Sequence, residues 1–473
     1  MTANLSARPV RAALLAAMLA TSACASVPNL GPKPIPHAAG DYASSKSLSA
    51  TEAQWPGEGW WQRYNDAQLT QLISEGLSGS PDLAAAAARF RRAQGLAQAA
   101  GAKLLPTIDA NASVSEVNPG NNWGMPLYSG FKEFGNAGLT LSFDLDLWGK
   151  NRAALRAAKK DADAARFDAQ EARLLLTTGI AATYADLTGL YAQRDSLESA
   201  LDIRAQSLKL VKERVDVGLD NDSALRLSEA RIPQTKAELA ATDEAIMINK
   251  HALAALLGQG PDRALTIERP APGTLQAQGI PEGASTDLIG RRPDIAAARV
   301  RVEAAANRIK EARAAFYPSV SISALAGFSS LGLSNMFLGG SGYSATTPAI
   351  SLPIFHGGSL QGQYRGRRGE YDESVALYDK QVVEALHETA DAVTSQKALI
   401  DRLAQSRSAL ASYQQALELA RLRYKQGLST YLDVLIAQES VVSAQLVVAQ
   451  LETRAFTIDV QLVRALGGGF QSA

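Results

Sequence analysis

A chain of 473 residues has length for two or three ordinary domains, yet aromatics make up only 6% of it and alanine-rich stretches dominate. Its 47 basic and 47 acidic residues cancel, which leaves no net field for nucleic acid or an anionic surface and excludes nucleic acid as a partner. A single cysteine excludes an internal disulfide, and together with four scattered histidines it leaves no metal-ligand cluster.

The N-terminus carries Arg8 and Arg11, an apolar run from Ala12 to Ala20, and small residues ending at Cys24. This is the pattern of an export signal spanning residues 1–23. Cys24 directly follows Thr21, Ser22 and Ala23, which resembles a bacterial lipoprotein cleavage site, so Cys24 is expected to become an acylated first residue. No later stretch holds 18 consecutive apolar residues, so any membrane crossing is expected to be by strands. Residues 24–60, with Pro28, Pro32, Pro34 and Pro36, suit an extended N-terminal tether.

A helix is expected over roughly 69–104, followed by a β-hairpin over 107–147. In the second arm of that hairpin Leu139, Leu141, Phe143, Leu145 and Leu147 alternate with Thr140, Ser142, Asp144 and Asp146. The first arm repeats the pattern with Ile108, Ala110, Ala112 and Val114. Each arm is about ten residues long, enough for a tilted transmembrane strand, and Asp144 and Asp146 are expected to line an aqueous lumen. The loop 118–136 offers Trp123 for an interfacial position.

From Gly149 to Asp216 there is no proline and only two internal glycines, Gly179 and Gly189, which predicts a helix about 100 Å long. Leu176, Leu190, Leu197 and Val211 share one heptad position, and Ile180, Leu187, Leu201, Leu208 and Val215 another, interrupted by Thr183, Arg194 and Arg204. A turn at Gly218 and Leu219 leads into a return helix over 222–257.

After a linker at 261–284 the plan repeats. Pro81 to Pro106 aligns without a gap on Pro293 to Pro318 with ten identities, and a second register superposes Arg214, Gly218 and Leu219 on Arg423, Gly427 and Leu428. The second repeat, 285–467, is expected to hold a helix over 285–316 and a hairpin over 319–355. A long helix over 358–425, a turn at Gly427 and Leu428, a return helix over 431–466 and a flexible tail over 468–473 complete it. Its strands carry Val320, Ile322, Ala324, Ala326 and Phe328, then Ile350, Leu352 and Ile354, with Tyr343 in the loop as a second interfacial residue. In each half, two shorter helices add up to the length of the long one, which predicts a rod with the strands at one end and the glycine turns at the other. Four strands cannot close a barrel and open edges are not tolerated in hydrocarbon, so the chain must share a barrel with copies of itself.

Arg291-Arg292-Pro293-Asp294-Ile295, Ala314-Ala315-Phe316-Tyr317-Pro318 and Arg423-Tyr424-Lys425-Gln426-Gly427-Leu428, with Leu432-Asp433-Val434-Leu435, resemble the outer membrane efflux protein family, the TolC-like channels, in its NodT-type lipoprotein branch. The resemblance implies an α+β membrane protein: a homotrimer whose twelve strands form a transmembrane β-barrel, continued by a long-helix α-barrel in the periplasm. It implies an outer-membrane exit duct for toxic compounds, with a periplasmic adaptor (membrane fusion protein) and an inner-membrane transporter as partners, outer-membrane lipid around it, and neither cofactor nor catalytic residues. The helix tips at Gly218, Leu219, Gly427 and Leu428 would meet the adaptor, and Asp433, Tyr424 and Ile436 would form the periplasmic gate. The family often has acidic residues where this chain has Ala224 and Ile436. A one-step protein secretion channel and a lipid-tethered periplasmic coiled-coil scaffold are the alternative readings.

Overall fold

The computed structural model describes residues 26–49, 52–117, 132–271, 280–281, 288 and 290–471; Cys24, the signal peptide and Trp123 lie outside them. The helices are α1 (Ala67–Gly79), α2 (Pro81–Ala102), α3 (Lys150–Asp216), α4 (Asp222–Leu256), α5 (Pro293–Ala314), α6 (Ser359–Lys425) and α7 (Tyr431–Ala465). The strands are β1 (Glu52–Ala53), β2 (Thr107–Val117), β3 (Lys132–Asp144), β4 (Ile280–Pro281), β5 (Ser319–Leu331) and β6 (Gly342–Ser351). The duplication is metric: α3 and α6 each have 67 residues, α4 and α7 each 35, α2 and α5 each 22.

The chain divides into two compact units. Unit 1 takes residues up to 36, 89–165 and 297–378; unit 2 takes 37–88, 166–296 and 379–473. Unit 1 holds an antiparallel sheet in the order β2-β3-β5-β6. Its register sets Ile108 against Leu141, Leu139 against Ala326, Phe143 against Ile322 and Val320 against Ile350, so one face is apolar across β2, β3 and β5 and continues onto β6 at Pro348 and Ile350. The other face carries Asp109, Asn111, Thr140, Ser321 and Thr347. Ile108, Leu139 and Ile350 are 66%, 54% and 76% exposed, a solvent cost that a sheet bearing this face in water would not carry.

At the row Gly138, Gly327 and Tyr343 the strands come unusually close. A Cβ on Gly327 would meet the Ala137 carbonyl oxygen and stand 2.7 Å from Gly138 Cα. The Tyr343 ring fills that row from the polar side, and its hydroxyl donates to Asn136 Oδ1 at 3.0 Å. Tyr343 therefore belongs to β6 and to the hydrophilic face. It is not an interfacial loop residue, because Gly342 opens the strand one position earlier.

Other boundaries also differ from expectation. The helix expected over 69–104 is broken at Ser80, whose ψ of 123° is extended because a proline follows. The helix expected over 285–316 is likewise broken, at Arg292: Leu288, Gly290 and Arg291 before it are helical, and α5 starts at Pro293. Leu352 and Ile354 lie beyond β6. The strand expected to reach Leu147 ends at Asp144: Asp146 has φ +28°, and its carboxylate accepts from the amides of Asn151 at 2.8 Å and Arg152 at 3.0 Å, capping the first turn of α3. The described part of the expected tether, 26–49 and 52–60, is not free either. In unit 1, Arg368 donates to the carbonyls of Gly31 and Pro32, and the Tyr371 hydroxyl donates to that of Pro34 at 3.0 Å. In unit 2, Trp60, Trp61 and Tyr64 enter the core against Leu69, Ile180 and Phe456. In the tail expected from 468, Gly469 packs on the Gly57 backbone and the Phe470 ring meets Phe167 at 5.8 Å, so these two residues are held.

The heptad positions pack in unit 2: Leu176, Ile180, Leu187, Leu197 and Val211 are buried. The interruption at Arg204 is a tie between helices, since its guanidinium reaches Thr235 of α4 and Glu439 of α7. Helix α7 is long and apolar enough to cross a membrane by composition, but Val441, Leu451, Phe456 and Val463 along it are buried among its neighbours.

Candidate functional site

Both long helices stop on glycine in the left-handed region, Gly218 at φ +73° and Gly427 at φ +75°. Leu219 N donates to Arg214 O and Leu428 N to Arg423 O, each at 2.8 Å, the wide bond of a Schellman stop. The stops leave Leu219 and Leu428 62% and 64% exposed, with open space around both glycines.

In unit 2 the two turns are tied together. The Tyr424 hydroxyl donates to Asp220 Oδ2, and the Arg214 guanidinium lies 4.5 Å from the centre of the Tyr424 ring. The same guanidinium donates to Leu219 O at 3.1 Å and Lys425 O at 3.4 Å. Tyr424 is 1% exposed and packs on Tyr431 at 5.9 Å. Burial first, and then the Asp220 carboxylate, push its phenol well above the usual range, so it stays a hydrogen-bond donor at any physiological pH. Asp220 was not singled out from the sequence, and Arg214 only as a marker of the repeat. The readable signal was a break in the repeat, because Asp220 stands where the second copy has Ser429.

Asp433 lies in the first turn of α7, and its Oδ2 accepts from Thr430 N and Thr430 Oγ1, each at 3.0 Å. The first half uses a different cap, Asn221 Oδ1 accepting from Ala224 N at 3.0 Å. An acid at Asp433 and an alanine at Ala224 are thus two solutions to one helix start. Ile436, one turn on, is 59% exposed. Of the two acids expected in the lumen, Asp144 sits on the hydrophilic face of the sheet opposite Ser321, and Asp146 does not.

A third cluster surrounds Arg292, which is 4% exposed. It donates to both Asp294 oxygens at 3.1 and 2.6 Å, to Glu388 at 2.7 Å and to the Ala465 carbonyl at 3.2 Å. Gln381 completes Asp294 at 2.7 Å. Burial, and then Asp294 nearby, push the Glu171 carboxyl up to about 7, with Arg292 and Arg464 opposing. The fold therefore holds a proton that the unfolded chain releases near 4.5. Stability contributed here is complete below that pH, falls as pH rises to about 7, and stays lower above it, a loss of about 2–3 kcal/mol once the partly exposed edge of the side chain is allowed for. Glu171→Gln is expected to raise Tm by about 2–4 °C at pH 8 and to leave it unchanged at pH 4.5, read by thermal unfolding at both. An equal shift at the two pH values would refute the assignment.

The sequence profile of the Outer membrane efflux protein family matches residues 72–259 and 284–468, the two halves of the duplication. The chain is 31% identical to the Multidrug resistance outer membrane protein MdtP of Escherichia coli, over 89% of this chain and 88% of that protein. It is 33% identical to the Fusaric acid resistance protein FusA of Burkholderia cepacia, over 74% and 68%. Among solved structures, the outer membrane protein VceC of Vibrio cholerae superposes with a TM-score of 0.84 at 42% identity, covering 88% of this chain and all of that one. With the open sheet, the duplicated helices and the paired glycine stops, these likenesses show that the chain belongs to the outer membrane efflux protein family and is an outer-membrane efflux channel.

Proposed function

We propose that this channel is the passive exit duct of a tripartite pump, a homotrimer through which small toxic compounds leave after an inner-membrane transporter and a periplasmic adaptor have delivered them. The observation that carries the reading is the open sheet: β2 and β6 have no partner on their outer edges among the described residues, and the apolar face is exposed. Three such sheets give a closed barrel of twelve strands, which removes the edges. Relatives named for multidrug and fusaric acid resistance support the cargo class. Native mass spectrometry in detergent is expected to give a trimer, and the trimer is expected to conduct ions in a planar bilayer; a stable monomer without conductance sinks the proposal. Acylation of Cys24 is tested by labelled palmitate, which should enter the wild type and not Cys24→Ser.

The gate is proposed at the tips. Tyr424 and Asp220 latch one turn to the other, a hydrogen bond to a charged acceptor worth about 1.5–3 kcal/mol per chain. Tyr424→Phe is expected to raise the closed-state conductance by about tenfold or more with trimer yield unchanged. Unaltered conductance would remove Tyr424 from the gate. Three Asp433 carboxylates brought near an axis would attract cations, with Ile436 adding an apolar constriction. Asp433→Ala should then lower cation selectivity and weaken divalent block; if both persist, Asp433 serves only the helix start that its bonds to Thr430 describe.

A further inference from the structure

The balanced charge of the whole chain conceals a local separation. Among described residues, unit 1 holds 19 Lys and Arg against 12 Asp and Glu, while unit 2 holds 26 against 33. The absence of any field for an anionic surface, as read from the total, is therefore corrected for unit 1, the unit that carries the sheet.

The surplus gathers around Lys33. Its amine lies 5.4 Å from the centre of the Tyr371 ring, on the segment whose carbonyls at Gly31 and Pro32 are held by Arg368. Lys310 and Arg313, three apart near the end of α5 and both exposed, are its other cationic neighbours. Burial, and then Arg368, Lys310 and Arg313, hold the Lys33 amine below its usual range, with Asp372 opposing, and Asp372 is already engaged by Arg368 Nε at 2.8 Å. Four cations gathered in this way repel one another and destabilise the segment they hold, which a bound anion would relieve.

The place is defined by the chain. Arg313 is six residues before β5, and Arg368 is about 14 Å along α6 from its start at Ser359. At the same ends of the strands Trp148 stacks on Tyr317 at 4.9 Å and donates to Pro318 O at 2.7 Å, while Leu105 and Phe355 are 65% and 86% exposed. Amphipathic rings beside exposed apolar residues, with cations one to three turns further from the strands, make the profile of a membrane interface followed by its headgroup layer.

We propose that Lys33, Lys310 and Arg313, beside Arg368, bind the phosphate-bearing headgroup of an anionic phospholipid in the leaflet that faces the periplasm. The assignment rests on the outer-membrane placement and is independent of the cargo and the gate. Each such cation near an anionic surface carries about fivefold in affinity, so losing three should cost about a hundredfold, and reversing them more.

The test uses the full-length protein in detergent, with phosphatidylglycerol or phosphatidylcholine added and native mass spectra recorded. The wild type is expected to retain phosphatidylglycerol selectively, and Lys33→Glu/Lys310→Glu/Arg313→Glu to lose it, with Arg368 kept because it holds the N-terminal segment. Should that variant fail to assemble, Lys310→Gln/Arg313→Gln carries the same expectation at about twenty-fivefold. Equal retention by wild type and variant overturns the proposal. So does displacement of the lipid by millimolar inorganic phosphate, which marks a free-phosphate site. Loss of the trimer with lipid retention unchanged also overturns it, since the cations would then pair with carboxylates of a second copy.

Discussion

Replacing Arg292 by methionine is expected to prevent accumulation of the assembled channel. The side chain keeps its length, so the effect isolates charge. Asp294, Glu388 and the Ala465 carbonyl lose their shared donor in a site where Arg292 itself is 4% exposed. Breaking a buried ion pair from one side costs about 3–5 kcal/mol, because the remaining charges stay desolvated without compensation. Glu171 also loses one of the two cations that oppose its proton, so the variant should be more stable at pH 5 than at pH 8 by a wider margin than the wild type. Outer-membrane yield and the trimer band in mildly denaturing gels report the outcome. Wild-type yield at pH 8 would show that the network is dispensable. Restoration by Arg292→Met/Asp294→Asn/Glu388→Gln would show that uncompensated charge, not lost packing, was the cause.

Gly327→Val is expected to have a comparable effect by an unrelated route. The new Cβ would press on the backbone of β3 at Ala137 and Gly138, which cannot rotate away as a side chain could. The strain should reach or exceed the about 1–3 kcal/mol typical of overpacking, and separating β3 from β5 also loosens the central pairing of the sheet. The expected readout is loss of heat-resistant trimers and of bilayer conductance. Gly339→Val, in a loop with open space around its glycine, should leave both intact. If Gly327→Val assembled normally, the close approach of β3 and β5 would not be needed for the sheet.

Much of this architecture was legible in the chain. Alternation from Ile108 to Val114 and from Leu139 to Phe143 names the apolar face, because period two admits only one face per strand. The proline-free runs ending at Gly218 and Gly427 give both long helices to within a residue or two. Pairings between distant residues were hidden from it. Nothing local distinguishes Asp146 as a cap from Asp144 on the sheet, since alternation continues through both while the backbone turns. Tyr343 read as a loop residue because glycines and serines surround it, and its role follows from two glycines on other strands. Tyr424 was visible as a motif residue, but Asp220 became its partner only when the turns of the two halves met. Summed charge was the most misleading quantity, because two opposite surpluses cancel in it.

The matched helix lengths have a consequence for inheritance. Tyr424 at the end of α6 reaches Asp220 just past the end of α3, so removing seven residues from α3 alone would draw one turn back by about 10 Å and part the pair. Taking seven from α3, α4, α6 and α7 together would keep it. Viable changes of length in this chain must therefore come in coordinated sets across a gap of some two hundred residues of sequence, and a lone insertion in either long helix should be purged even where every residue it adds is a good helix former.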